Sequence, residues 1–295
     1  MTSASGIPPA SGSIETEATV HQKVQVPGKL AGRARDTRSS DMALWSAAVE
    51  GGVGVLTYSN PPFNFLTFAA MSDLERRIAE MGSDEDIRVI VLRSNTPGYF
   101  VAHADLDDLD RLASDSLPDA RAFHLALKRI ESIPQPVIAA VDGQAWGGGL
   151  ELILACTLRW ASERAHFRLL ETSLGMIPGA GGTQRLPRLI GSAAAAEIIL
   201  CGEKLNMQQA SRVGLVGRVL PQEDFDRQVL DAATQLAAMP RQALVGAKRV
   251  LREGAEMSLA DALRLEGRIC GELLATAEST ELRQRALASY RSTST

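Results

Sequence analysis

The sequence predicts an α/β fold followed by a helical C-terminal part. From about residue 45 to 158, strand-like apolar runs alternate with segments of helical apolar spacing. Beyond about Asp231 strand patterns stop and helical spacing takes over. The 295 residues are 45% hydrophobic but only 4% aromatic, which is enough for a large core built mostly from Ala, Val, Ile and Leu.

Each element follows from a local signal. Val53–Tyr58 is a β-rich run closed by the turn signal Asn60-Pro61-Pro62. Thr67 can cap a helix that carries Met71, Leu74, Ile78 and Met81 on one face. Arg88–Arg93 reads as a buried strand, and Phe123, Leu127 and Ile130 mark a second amphipathic helix. Pro136–Val141 is a third strand, and Gly147-Gly148-Gly149 opens an apolar run that reaches Leu158. Late in the chain, Ala237, Ala243, Ala247, Val250 and Leu251, then Leu259, Ala262, Leu263 and Leu265, repeat at helical spacing. The organisation expected is a disordered tail at 1–40, a core at 41–230 and a helical part at 231–295.

The tail is polar and shows neither period, so it cannot bury enough apolar surface to offset its ordering entropy. It lacks a basic start with an apolar stretch behind it, and its acids nearly balance its bases, unlike a secretory or mitochondrial leader. A net charge of −4 gives no general attraction to nucleic acid or to an anionic membrane. No run of 18 apolar residues is present, so no membrane span is expected. Cys156, Cys201 and Cys270 are widely spaced and form no CxxC pair. They read as buried small hydrophobes of a reducing cytoplasm, with no metal site.

Three segments carry candidate chemistry. The glycines at 147–149 sit between a strand and a helix, where free N–H groups can meet negative charge. A tight structural turn explains them equally well. Glu151 lies in the apolar first turn of that helix, where an unpaired carboxylate is rare; it reads either as a functional group or as a helix cap. Glu171 ends the apolar stretch from Phe167 and precedes a second glycine-rich turn, Ile177–Arg185. Two such carboxylates could supply acid/base chemistry beside amide donors. In Tyr99–Leu106, Ala104 or Asp105 could open a helix, and His103 is more simply structural than catalytic because no nucleophile pattern adjoins it.

Taken in order, Asn60–Asn64, Phe100–Leu106, Val137–Gly143, Gly147–Leu152 and Leu174–Leu186 resemble the enoyl-CoA hydratase/isomerase (crotonase) family, over roughly residues 45–290. The resemblance implies a spiral of ββα units with a C-terminal helical subdomain that assembles homotrimers or hexamers (dimers of trimers). It implies an acyl-CoA substrate, with coenzyme A part of that substrate and no separate cofactor. The backbone N–H groups of Ala104 and Gly148 would hold the thioester oxygen. Glu151 would hold and deprotonate water and Glu171 would deliver a proton, the reverse assignment staying open. Gly179 would touch the water, and Ala102, His103, Asp105, Leu106 and Trp146 are candidate substrate contacts. The chain departs from the family pattern at His103 (usually Gly), Leu170 (usually Pro), Thr157 (usually Asp) and Asn60 (often Arg). Tyr290 and Arg291 only loosely represent the pattern that holds the CoA nucleotide. Hydration of a trans-2-enoyl-CoA is the expected reaction, with double-bond isomerisation, decarboxylation or C–C cleavage as alternatives. A non-catalytic or RNA-binding role is a minor one.

Overall fold

Strands of the α/β part leave one sheet for another and return. The computed structural model describes residues 44–116 and 121–293, so the tail expected at 1–40 lies outside the described residues. Strands β1 (Trp45–Glu50), β2 (Val53–Tyr58), β3 (Val89–Ser94), β5 (Val137–Val141), β7 (Leu158–Ser162) and β9 (Arg218–Leu220) form one sheet in that order. Strands β4 (Tyr99–Val101), β6 (Gln144–Trp146) and β8 (His166–Arg168) form a smaller one. Each of β3, β5 and β7 is followed by a short strand in the second sheet, which gives the repeated turns of a spiral. Only β1 and β2 pair antiparallel among the described strands.

Helices α1 (Phe68–Ser83), α2 (Leu106–Ala113), α3 (Ala122–Ser132) and α4 (Gly148–Ala155) follow the early strands. α5 (Gly182–Ile190), α6 (Ser192–Cys201) and α7 (Met207–Arg212) precede β9. α8 (Phe225–Ala237), α9 (Arg241–Gly254), α10 (Leu259–Leu274) and α11 (Ala277–Thr293) complete the chain. Thr67 caps α1 through its hydroxyl, which accepts the Ala70 N–H, and Met71, Leu74, Ile78 and Met81 are buried as their spacing predicts. The helical part begins at Phe225, so the boundary expected at 231 falls inside α8.

The parallel strands are apolar on both faces because both are covered. Alternation sends Leu56, Ile90, Leu92, Ala139 and Val141 into one core with α1, α3 and α4. It sends Val53, Val55, Val89, Val91, Ile138 and Ala140 to the opposite face, under Phe225, Val229, Ala233 and Ala237 of α8.

The last helices are joined to the body by a buried lysine. Lys248 of α9 donates through Nζ to the carbonyls of Ile130, Ile133 and Gln135 at 3.1, 2.9 and 2.8 Å. Those carbonyls lie at and just beyond the C-terminus of α3, where positive charge is favoured. In α10 only Leu265 and Ile269 are buried, while Leu251, Leu259 and Leu263 stand exposed on α9 and α10. Among the described residues no helix is long and apolar enough to cross a membrane, and no cluster of His, Cys, Asp or Glu is arranged for a metal. Cys156 is buried as expected; Cys201 and Cys270 are exposed, because the helix surfaces that carry them have no element packed over them.

Candidate active site

Glu151 sits in the first turn of α4 and is 3% exposed. It does not cap its own helix. Its Oε1 accepts the N–H of Ala180 at 2.8 Å and of Gly182 at 2.7 Å, at the N-terminus of α5. Two otherwise orphaned helix-terminal donors therefore meet one carboxylate. Burial pushes its pKa up to about 7, and the charge of Glu171 adds to the rise; the N–H groups of Gly182 and Ala180 and the charge of Arg185 oppose it.

Glu171 opens a one-turn 3-10 helix, Glu171–Leu174. Burial raises its pKa too, and its Oε2 is buried without a hydrogen-bond partner among the described residues. Both carboxylates line one cavity of about 260 Å3, with Ala104, Gly148 and Gly179. Its other walls are chiefly apolar and include Phe68, Leu109, Phe123, Leu170, Met176 and Ile177.

The backbone of 104 meets that of 148. A Cβ on Gly148 would lie 3.5 Å from the Ala104 nitrogen. The first backbone bond of α4 runs from Glu151 N to Gly147 O, so the Gly148 N–H precedes the helical ladder. The Ala104 N–H makes no hydrogen bond to another described residue, while its peptide partner, the His103 carbonyl, accepts the Leu66 N–H at 2.9 Å. Asp105 N–H returns to Leu66 O at 2.9 Å, so the 103–105 segment is pinned on both sides. Gly147, at φ +48° and ψ −125°, makes the close approach possible. A Cβ there would stand 3.0 Å from Glu171 Oε1 and 3.2 Å from His103 Cβ. Two amide donors beside two carboxylates of raised pKa can stabilise a developing oxyanion and move protons within one apolar cleft.

A family model for enoyl-CoA hydratase/isomerase matches residues 48–291. The chain belongs to the enoyl-CoA hydratase/isomerase family. It is 38% identical to the mitochondrial methylglutaconyl-CoA hydratase of Rattus norvegicus over 223 residues, 74% of this chain and 71% of that protein. It is 36% identical to the "Probable enoyl-CoA hydratase" of Bacillus subtilis (strain 168) over 242 residues, 80% of this chain and 92% of that one. The crystal structure of an enoyl-CoA hydratase from Bacillus anthracis superposes with a TM-score of 0.79 at 31% identity, covering 83% of this chain and 96% of that one.

Within this crotonase-like fold the remaining expected residues divide. His103 and Leu106 line the cavity; Ala102, Asp105 and Trp146 are not among its lining residues. Ala102 is buried, and Asp105 caps α2 by accepting the Asp108 N–H. Trp146 packs edge-on to His166, with Arg168 and Lys204 over its ring. His103 takes no left-handed φ; its Nδ1 lies 2.6 Å from the Ala104 carbonyl and its ring stacks on Phe65. The turn therefore tolerates a side chain without strain. Thr157 accepts the Val137 N–H, and Asn60 donates to the Phe65 carbonyl. Unforeseen from sequence were Ala180 and Gly182 as the holders of Glu151, and buried Asn64, which donates to the Phe100 carbonyl and accepts the Thr96 hydroxyl beneath the 100–105 segment.

Proposed function

We propose that the chain is an enoyl-CoA hydratase, adding water across a trans-2-enoyl thioester of coenzyme A. The observation that carries this reading is the meeting of Glu151 and Glu171 in one cavity beside Ala104 and Gly148. A double-bond shift needs only one well-placed carboxylate, whereas hydration uses two. Water loses a proton as its oxygen bonds C3, and C2 gains a proton on the same face. The thioester oxygen carries the negative charge between those events. The N–H groups of Ala104 and Gly148 are the donors in this reading, and losing one such donor costs about 3–4 kcal/mol of barrier. Glu151 keeps one carboxylate oxygen on Ala180 and Gly182, leaving the other for water. Its pKa near 7 suits proton exchange at neutral pH. Glu171, with its unpartnered oxygen, is the proton donor.

The exposed leucines of α9 and α10 support self-association; homotrimers or paired trimers are the assembly that the family resemblance implies. The test is loss of the conjugated enoyl-thioester absorbance with purified protein, and mass analysis of the product. Wild type forms a product one water heavier, while Glu151→Gln and Glu171→Gln do not. A product of unchanged mass would replace hydration with isomerisation, and unchanged rates in both variants would refute the paired-carboxylate mechanism.

A further inference from the structure

The turn that holds Glu151 is itself held from outside the cavity. Arg185 stands on α5, one turn past Gly181, and reaches back to donate through a terminal guanidinium N–H to the Ala180 carbonyl at 2.9 Å. The rest of its fork is taken by Glu131 near the end of α3, with Nε to Oε1 at 2.6 Å and the other terminal nitrogen to Oε2 at 3.1 Å. Such a two-point pair fixes orientation as well as distance. Gly181 has φ +103°, and a Cβ there would clash with a terminal guanidinium nitrogen of Arg185, so the glycine leaves the space that Arg185 fills. The Gly179–Ala180 and Gly181–Gly182 peptides, on either side of the clamped Ala180–Gly181 peptide, then offer the Ala180 and Gly182 N–H groups to Glu151.

We propose that Arg185, braced by Glu131, is a positioning residue for Glu151: it clamps the Ala180–Gly182 turn by its carbonyl and so sets where the carboxylate stands. The clamp rests on the reading of Glu151 as a reacting group. It acts through the turn, and neither Arg185 nor Glu131 is among the residues that line the cavity. Its charge also opposes protonation of Glu151. The other groups facing that carboxylate are the Glu171 charge and the two N–H donors, with His103 and His124 on the same cavity wall.

The test compares Arg185→Gln, Arg185→Lys and Glu131→Gln in the full-length protein. Enoyl-thioester hydration is followed across pH, and the Glu151 carboxyl is titrated by carbon-13 NMR with Glu151→Gln as the assignment control. In Arg185→Gln, kcat falls roughly 10–100-fold with KM nearly unchanged, as expected for a sub-ångström to ångström misplacement. Its Glu151 titration moves to higher pH because a positive charge has gone. Arg185→Lys and Glu131→Gln keep the positive charge and lose the fork, so kcat falls while the titration stays near that of wild type. A merely structural role would lower the unfolding midpoint and the active fraction but leave kcat per folded molecule in place. That result, or wild-type values in folded Arg185→Gln, overturns the proposal. Should Arg185→Gln fail to fold, wild-type kcat in both Arg185→Lys and Glu131→Gln overturns it. If the wild type hydrates no enoyl thioester, the reaction is wrong, and the NMR signals of the Ala180 and Gly182 amides decide the clamp: they move in Arg185→Lys and Glu131→Gln if the fork holds the turn, and unchanged signals overturn it.

Discussion

Glu151 Oε1 and the Gly182 N–H meet at 2.7 Å across 31 residues of sequence, joining the first turn of α4 to the first turn of α5. The contact makes the carboxylate a cap for a neighbouring helix while burying it beside a second acid. One oxygen is committed to backbone donors, and the group as a whole is held near the pH at which it gains or loses a proton.

Stability should record that titration. The Glu151 pKa is about 7 when folded, against an ordinary carboxylate value of 4.5. Between these values the folded state binds more protons than the unfolded state, so stability falls as pH rises through the window. That rise corresponds to about 3 kcal/mol, present below the unfolded value and lost above the folded one. Glu151→Gln carries no such slope. Urea unfolding at pH 5 and pH 8 should therefore show the variant gaining on wild type by roughly 2–3 kcal/mol at the higher pH. Parallel pH profiles would contradict a buried, ionising Glu151.

Gly147→Ala should damage the site more than the fold. Gly147 has φ +48° with ψ −125°, a conformation in which a Cβ is strained by about 1–3 kcal/mol. The added methyl also meets Glu171 Oε1 and His103 Cβ, so relief requires moving a carboxylate or the Ala104 segment. A stability loss of about 1–3 kcal/mol in urea is expected. A fall in kcat/KM of roughly 100-fold in the folded protein should accompany it. A variant with wild-type kcat/KM would show that the contact does not matter to the reaction.

Long periodic elements were legible because their signal is local. α1 showed its capping Thr67 and its four buried apolar positions without any tertiary information. β7 was hidden because the apolar run Leu152–Cys156 reaches the end of α4, and the five residues of β7, with Arg159 beside Trp160, show no clean alternation to set the strand apart. β4, β6 and β8 have only three residues each, too few to display a period of two. In the site, Glu151 stood out as an acid in an apolar turn after glycines. The Arg185–Glu131 pair did not, because its partners lie 54 residues apart and no spacing rule connects them. Trp146 adjoins the glycines in sequence, yet strand alternation sends its ring toward Arg168 and Lys204.

Lys248 offers a second titration with the opposite charge type. Burial lowers its pKa to about 8, against an ordinary lysine value of 10.5. Between these values the unfolded chain binds more protons, so the contribution of this side chain to stability rises with pH across the window. Lys248→Met removes three donors and leaves the carbonyls of Ile130, Ile133 and Gln135 short of partners. A loss of roughly 1–3 kcal/mol at pH 7 is expected, since the relief of a buried charge offsets part of the orphaned acceptors. The deficit should widen between pH 8 and pH 10. Thermal melts of both proteins across that range check it, and a deficit that narrows with pH would mean that Lys248 is not held against its own desolvation.

Assembly can be separated from folding through the outer face of the last helices. Leu251, Leu259 and Leu263 are 73%, 76% and 55% exposed in the single chain, so replacing them with Glu disturbs little of the interior. Full burial of a leucine contributes about 1.5–3 kcal/mol, and three of them about 5–9 kcal/mol per protomer. Nanomolar association corresponds to about 12 kcal/mol, so removing even part of that contribution moves dissociation into the micromolar range or beyond. Light scattering coupled to size exclusion should therefore find wild type at the mass of three or six chains. The triple variant Leu251→Glu, Leu259→Glu, Leu263→Glu should run at the mass of one, with helix content retained by circular dichroism. A wild type at the mass of a single chain would refute assembly. A triple variant that stays assembled would move the interface elsewhere on the surface, with exposed Leu200 and Ile177 the next apolar positions to change.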